Sequence, residues 1–430
     1  MFFEIASSIV MGGVVGYTFL LQSGSTNDAA KIQRIAVNAG LVVKEKKETR
    51  TIQLLRKTSY AWGTEYAYRI PLGLSFSDFQ KKQDHLQDGL NNKRSLVDIS
   101  LKDLKTIDWR SSVLEQIRQI LAKKKTQKEI FLSYDGVLKI KVYNEPLVTN
   151  FGADESLFDE NKGWEVVVGM SRTGKTIHDF ERRPHMIAAG ATGYGKSEFI
   201  KLLITALTYN QPENVRFNLI DLKGGLELGR FKDMKQVTEF GRNPSEAKDI
   251  LKKIQKDMNQ TLDDLFEKGF KDVKEAGQKE RIFVVIDEAA DIADDKACMA
   301  IVTDIARRGR AAGYRLIYAT QYPTNETLPS QVRANIGARM CFRLETGAQS
   351  RAVLDEEGAE KLPEIEGRAI FRRVKNEIVQ TPYIQRESIE RVIQPHIVIK
   401  SREDDSNGEK PATGAERGSG TLIVEEIGLS

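Results

Sequence analysis

The chain has 430 residues, of which 29% are charged and 40% hydrophobic, which excludes a disordered or low-complexity polymer and leaves room for two or three domains. Lys and Arg exceed Asp and Glu by only 65 − 61 = 4, so any basic surface must be local. The two cysteines, Cys298 and Cys341, have no CxxC or Cys/His partner, which excludes an obvious zinc site; they are expected to stay reduced. The histidines, His85, His178, His185 and His396, are scattered and read as structural.

Residues 5–27 carry no charge, and 5–21 are mostly apolar. This is a slightly short membrane span, since about twenty apolar residues cross a bilayer. Glu4 stands where a cleaved signal peptide would have basic residues. Gly12, Gly13 and Gly16 suit close contacts between membrane helices. Lys31, Arg34, Lys44, Lys46 and Lys47 follow, which places the C-terminal side in the cytoplasm. The expectation is a single-pass cell-membrane anchor over residues 1–27; the alternative is a buried helix opening a soluble domain.

Residues 28–150 read as a small α/β domain. Helices are expected over 29–39, 77–90 (Ser77 as N-cap) and 107–121, and strands over 66–70 and 137–143, the last alternating as VLKIKVY. Lys123, Lys124, Lys125 and Lys128 read as a solvated basic loop.

Residues 160–395 alternate helical and strand patterns, which implies a mostly parallel sheet with helices on both faces. Residues 169–176, GMSRTGKT, fit G-x-x-x-x-G-K-[ST], but the following IHDFERRP offers no helix face and ends at Pro184. We read 169–175 as a hairpin turn with Ile177 opening the return strand. The second match is GATGYGKS, after the apolar run 186–189 and before a helical pattern of Phe199, Ile200, Leu203, Ile204 and Leu207. This is the P-loop context. Gly190, Ala191, Thr192, Gly193, Tyr194, Gly195, Lys196 and Ser197 would cradle ATP phosphates with backbone amides and the helix N-terminus. Lys196 would reach the β- and γ-phosphates, and Ser197 would ligate Mg²⁺.

Further strands are expected at 215–220, 282–286 and 316–319, and a long helix over 245–266 with Ser245 as N-cap. The strand IFVVI runs into Asp287 and Glu288. A P-loop ATPase needs a carboxylate there for Mg²⁺ and a group to position the attacking water. Asp287 takes the first role and Glu288 the second, while Asp291 reads as a cap of the next helix. Gln321, at a strand's C-terminal end, reads as a γ-phosphate sensor. Arg307, Arg308, Arg310, Arg333, Arg339 and Arg343 supply candidates for a trans-acting arginine or DNA contacts, and the residues alone do not choose among them. Residues 400–430 read mainly as a disordered tail.

The stretches PHMIAAGATGYGKS, DLKGGLEL, VVIDEAAD, RAAGYRLIYATQYP, RANIGARMCFRL and SRAVLDEEGAEKL resemble the FtsK/SpoIIIE family of DNA translocases, in that family's order, over residues 163–373. The resemblance implies a RecA-like P-loop NTPase domain that forms a homo-hexameric ring, threads DNA and hydrolyses ATP. It also puts Lys196, Ser197, Asp287, Glu288 and Gln321 at the family's ATPase positions. The cell-division members carry several membrane spans, a long linker and a terminal winged-helix domain, for which this chain has one candidate span and few residues after the motor. The stretches TEYAYRIPLGLSFSDFQKKQDHLQDGLN and LSYDGVLKIKVYNEPL are similar to FtsK-like coupling proteins of Gram-positive conjugative elements. That implies DNA, a relaxase and transfer-channel proteins as partners. A chromosome-partitioning translocase, a protein-secretion ATPase and an inactive nucleotide-binding scaffold are the competing readings.

Overall fold

The computed structural model describes residues 28–45, 48–91 and 128–398. The expected anchor over 1–27, the helix over 107–121, the lysines at 123–125 and the tail over 400–430 lie outside the described residues. Among those described, no helix is long and apolar enough to cross a membrane.

The N-terminal part opens with helix α1 (Asp28–Asn38) and a short hairpin of β1 (Val43–Glu45) and β2 (Glu48–Arg50). Strands β3 (Gln53–Tyr60) and β4 (Gly63–Arg69) precede helices α2 (Phe76–Lys81) and α3 (Gln83–Asn91); β5 (Glu129–Tyr134) and β6 (Leu138–Tyr143) follow. The four longer strands form an antiparallel sheet in the order β3-β4-β6-β5. Ile32, Phe79 and Leu86 from the helices pack on Tyr66, Tyr68, Leu132 and Ile140 of one sheet face. Burying each such side chain contributes about 2 kcal/mol. The single helix expected over 77–90 is two, broken at Lys82, and its cap is Ser75 rather than Ser77. Ser75 N–H donates to Asp78 Oδ2 at 2.8 Å, forming a capping box.

Strand β7 (Gly152–Ala153) and helix α4 (Glu155–Phe158) lead into β8 (Glu165–Ser171), β9 (Gly174–Asp179) and β10 (Met186–Ala189). Helix α5 (Lys196–Asn210), β11 (Val215–Asp221), β12 (Val237–Gly241) and helix α6 (Pro244–Glu267) come next. They are followed by β13 (Arg281–Asp287), α7 (Lys296–Arg308), β14 (Tyr314–Thr320), α8 (Ser330–Asn335), β15 (Ala338–Phe342) and α9 (Gly347–Leu354). The last elements are β16 (Arg368–Arg372), β17 (Asn376–Gln380), β18 (Tyr383–Ile384) and α10 (Arg386–Ile393). Strand β7 pairs with β18, so the start and end of this part are tied together.

Ten strands form one sheet in the order β12-β11-β13-β14-β10-β15-β16-β17-β8-β9. Strands β12 through β15 pair in parallel, whereas β15 through β9 pair antiparallel. The sheet is therefore mixed rather than mostly parallel. The composition explains the division: MIAA of β10 and YRLIYAT of β14 are wholly buried, whereas β9 (GKTIHD) alternates over its second half and β17 (NEIVQ) is buried only at Val379 and Gln380. Helices α5 and α10 pack on one face, through Ile200, Leu203 and Ile389. Helices α6, α7 and α9 pack on the other, through Leu251, Val302 and Val353.

The segment GMSRTGKT forms the β8–β9 hairpin, turning at Arg172 and Thr173, and the return strand begins at Gly174, ahead of Ile177. Lys175 lies on β9, ion-paired with Glu160. Two more caps differ from expectation. Helix α6 is capped by Asn243, which accepts from Glu246 N–H at 3.0 Å, with Pro244 at the first turn. Helix α7 is capped by Asp295, not Asp291; Asp295 Oδ1 accepts from Ala297 and Cys298 N–H. In both cases two polar residues compete for one helix start, and backbone geometry selects the other one.

Candidate functional site

The site lies at the C-terminal ends of β10, β13 and β14, where an open α/β sheet presents its loops. Strand β10 is central and fully buried, so the loop after it is fixed at its root. Gly190 N–H donates to Thr320 O at 3.3 Å, and Ala191 N–H to Arg343 O at 3.0 Å, which tethers the loop to β14 and β15. A Cβ on Gly190 would meet Phe342 Cβ at 2.5 Å. Gly195 has φ 101° and faces the backbone of Gly367, so a side chain there meets both strain and contact. Gly367 N–H in turn donates to Tyr194 O at 3.1 Å. Helix α5 starts directly after Gly195, with its first amides at the loop.

Lys196 is 3% exposed; its ammonium is ion-paired with Asp287 Oδ1 and lies 3.9 Å from Glu288 Oε2. Asp287 Oδ1 also accepts from Glu288 N–H at 3.1 Å. Glu288 adopts a left-handed backbone, φ 59°, uncommon for a non-glycine residue. Its Oε1 accepts from Gln321 N–H at 3.0 Å and Thr320 Oγ1 at 3.3 Å. Gln321 Oε1 accepts from Thr192 Oγ1 at 2.9 Å, closing a chain from Glu288 back to the loop. The structure thus brings Lys196, Asp287, Glu288, Gln321 and the loop 190–197 together. Ser197 sits on the first turn of α5, half-buried beside them.

The arginines separate. Arg307 and Arg310 are exposed; Arg307 and Arg308 pair with Asp304 on α7. Arg333, Arg339 and Arg372 all pair with Asp355, at 3.5, 2.6 and 3.3 Å. Arg339 is buried and donates to Val353 O at 2.7 Å, so it belongs to the fold and cannot reach DNA or a neighbouring subunit. The Arg343 guanidinium stands over the Tyr194 ring, 5.9 Å from its centroid.

Two buried charged residues near the site carry no role in the sequence reading. Asp221 is fully buried next to Asp287 in register and accepts from Lys223, Glu227 and Leu228 N–H, which shapes the loop after β11. An aspartate at a strand end before Gly224 and Gly225 was the available signal. Lys201, on α5, pairs with Glu227 at 2.8 Å and Glu198 at 2.9 Å; nothing in its sequence setting marks it.

Among the described residues no group of three or more His, Cys, Asp or Glu is arranged to hold a metal alone. Asp287 Oδ2 and Glu288 Oε2 are, however, buried without a protein partner. Two orphaned carboxylate oxygens beside a hydroxyl and a phosphate cradle fit Mg²⁺, which takes few protein ligands and completes its shell with phosphate and water oxygens.

This arrangement defines a P-loop NTPase domain. Residues 163–357 match the model of the FtsK/SpoIIIE family. DNA translocase FtsK of Streptomyces coelicolor is 32% identical over 215 residues, 44% of this chain and 23% of that protein. DNA translocase FtsK of Chlorobaculum tepidum is 30% identical over 252 residues, 53% of this chain and 31% of that protein. The chain thus spans less than a third of either relative. Among solved structures, the pCW3 conjugation coupling protein TcpA, in a monomer form with ATPgS, aligns over 86% of this chain and 99% of its own, with TM-score 0.56 and 21% identity. The cytoplasmic domain of the type VII secretion ATPase EccC of Thermomonospora curvata aligns over 56% of this chain and 32% of its own, with TM-score 0.50 and 21% identity. At these identities the likeness is one of fold.

Proposed function

We propose that this chain hydrolyses ATP to move DNA, as a membrane-anchored coupling protein of conjugative transfer that works as a homo-hexameric ring. The observation that carries this reading is the convergence of Lys196, Asp287, Glu288 and Gln321 on one glycine-rich cradle at the sheet's C-terminal edge. The amides of 190–197 bind the phosphates, and Lys196 exchanges its Asp287 partner for the β- and γ-phosphate oxygens. Ser197 and Asp287 would hold Mg²⁺, which would neutralise phosphate charge when bound. Glu288, anchored through Oε1, has Oε2 left to orient a water and take its proton. The water oxygen bonds to the γ-phosphorus as the bond to the bridging oxygen breaks, giving ADP and phosphate. Gln321 ties Glu288 to Thr192 of the loop, so the base moves with the phosphates it reads.

DNA as the substrate is supported by the curated relatives, which are DNA translocases. Conjugation is supported by the fold likeness to TcpA over nearly that chain's whole length. Residues 1–27 are the proposed single-pass anchor, with the ATPase domain in the cytoplasm, and a relaxase and channel proteins are the proposed partners. The test is ATP turnover of the purified chain with unrelated duplexes and single strands at two salt concentrations. Stimulation by DNA regardless of sequence, weakening steeply with salt, is expected, because backbone phosphates are the feature that repeats at each step. If no DNA changes the rate but a secreted protein does, the secretion ATPase reading replaces this one. Strong preference for one duplex sequence would favour chromosome partitioning.

A further inference from the structure

The N-terminal sheet has a second face. Helices α1, α2 and α3 cover the side that carries Tyr66, Tyr68, Ile130, Leu132, Ile140 and Val142. The registers place three rows on the opposite side. The first is Arg56–Ala67–Lys139–Ser133, the second Thr58–Glu65–Lys141–Phe131, and the third Tyr60–Gly63–Tyr143–Glu129; in the third, Tyr143 is buried with the Arg172 guanidinium 5.4 Å from its ring centroid, so only its Tyr60 end is open. We propose that this face binds single-stranded nucleic acid.

The chemistry of the face is a mixture of rings and cations. Phe131 is 44% exposed in mid-strand, where an apolar ring gains nothing for the fold. At one end Tyr60 and Trp62 stack at 4.8 Å with rings 9° from parallel, and Tyr60 is 46% exposed. Lys141 stands 5.7 Å from the Trp62 centroid. Arg56 and Arg69 are exposed at the other end. Ala67 and Gly63 keep the centre low. Of the carboxylates nearby, Glu129 is held by Arg172 and Asp135 by Lys139 at 3.0 Å, leaving Glu65 against Arg56, Arg69 and Lys141. The balance favours an anionic occupant.

The exposed rings decide between nucleic acids. Three strand spacings give a platform of about 14 Å. A duplex hides its base faces and offers phosphates to a groove or ridge, so exposed rings on a sheet face would go unused. Unpaired bases stack on such rings while the backbone follows the cations. The inference stands apart from the ATPase reading, because none of these residues belongs to the P-loop site.

The test is fluorescence anisotropy of the purified chain with labelled oligothymidine, comparing Phe131→Ala, Arg56→Glu and the parent. Stacking of one base is worth about tenfold in affinity, so Phe131→Ala is expected to weaken binding by that factor. Arg56→Glu is expected to weaken it and to flatten its salt dependence. Basal ATP turnover without DNA and the thermal midpoint of Phe131→Ala stay at parental values. Because turnover is read separately, loss of hydrolysis in the parent would count against the proposed ATPase and leave this assay intact. Unchanged oligothymidine affinity in both variants overturns the proposal. So does a change of oligomeric state in Phe131→Ala without loss of oligothymidine binding, which would make the face a contact between copies.

Discussion

Lys196 and Lys175 occupy the same place in two matches to one motif, and their surroundings give them opposite roles. Lys196 is buried and shared by two carboxylates, whereas Lys175 sits on an exposed hairpin with Glu160 as partner. Lys196→Ala is expected to abolish ATP turnover, and Lys175→Ala to leave it within about twofold, since exposed ion pairs contribute little; a coupled phosphate-release assay measures both. Glu288→Gln keeps the size of the side chain and an oxygen for the Gln321 and Thr320 contacts but loses the base. It is expected to bind a fluorescent ATP analogue at near-parental affinity while turnover falls about 10²–10⁴-fold. These residues were legible from sequence because their chemistry is local: a glycine-rich turn between strand and helix, and an acidic pair at the end of IFVVI. The links among them were not. Thr192 to Gln321 and Gln321 to Glu288 join residues 129 and 33 positions apart, and only the sheet order brings them together.

At the scale of elements, the C-terminus of α9 shows how one residue fixes several neighbours. Asp355 caps the helix in a left-handed conformation, φ 61°, and receives Arg333, Arg339 and Arg372 from α8, β15 and β16. Asp355→Ala combines backbone strain with the loss of three ion pairs. It is expected to lower unfolding free energy by about 1–2 kcal/mol, discounted because the carboxylate is half-exposed. Asp355→Asn, which tolerates the left-handed region, should lose less. Denaturant midpoints of the two variants check the order. Helix and strand positions on the parallel side followed from their apolar runs. The caps did not, because Ser75 and Ser77, or Asn243 and Ser245, are equivalent until the residue at which the backbone turns helical is known. The antiparallel half was also hidden: β16 and β17 are short, and β17 joins β8 across 208 residues of chain.

Over the whole molecule, buried ionisable groups set the response to acid. Burial drives His178 and His185 down to about 3, and His185 Nδ1 accepts from Leu316 N–H at 2.9 Å, which requires that nitrogen to be unprotonated. Burial alone would raise Glu181, but Arg281 and Arg315 outweigh it and hold the carboxyl at about 2. A depressed histidine gives stability that is complete above its unfolded value near 6.5 and is lost as pH falls towards 3. A depressed glutamate loses its share between about 4.5 and 2. All three act in one direction, so unfolding free energy is expected to fall steadily below pH 6.5, by up to about 1.4 kcal/mol per pH unit for each histidine, and the thermal midpoint with it; calorimetry from pH 4 to 8 checks it.

The order of strands also has a meaning in time. Strands β8 and β9 leave the ribosome before the rest of their sheet, yet among the described residues their partner across it is β17, joined through Val379 to Ser171 and Gln380 to Met170. The interval is 379 − 171 = 208 residues. At about 5–20 residues per second, the hairpin waits roughly 10–40 s for its neighbour. A lone hairpin is marginal in water, so this edge matures last although it is synthesised first, and the parallel half must take shape while its own N-terminal flank is still unclaimed. Release of β17 from the tunnel is thus the moment at which the nascent chain can close its sheet.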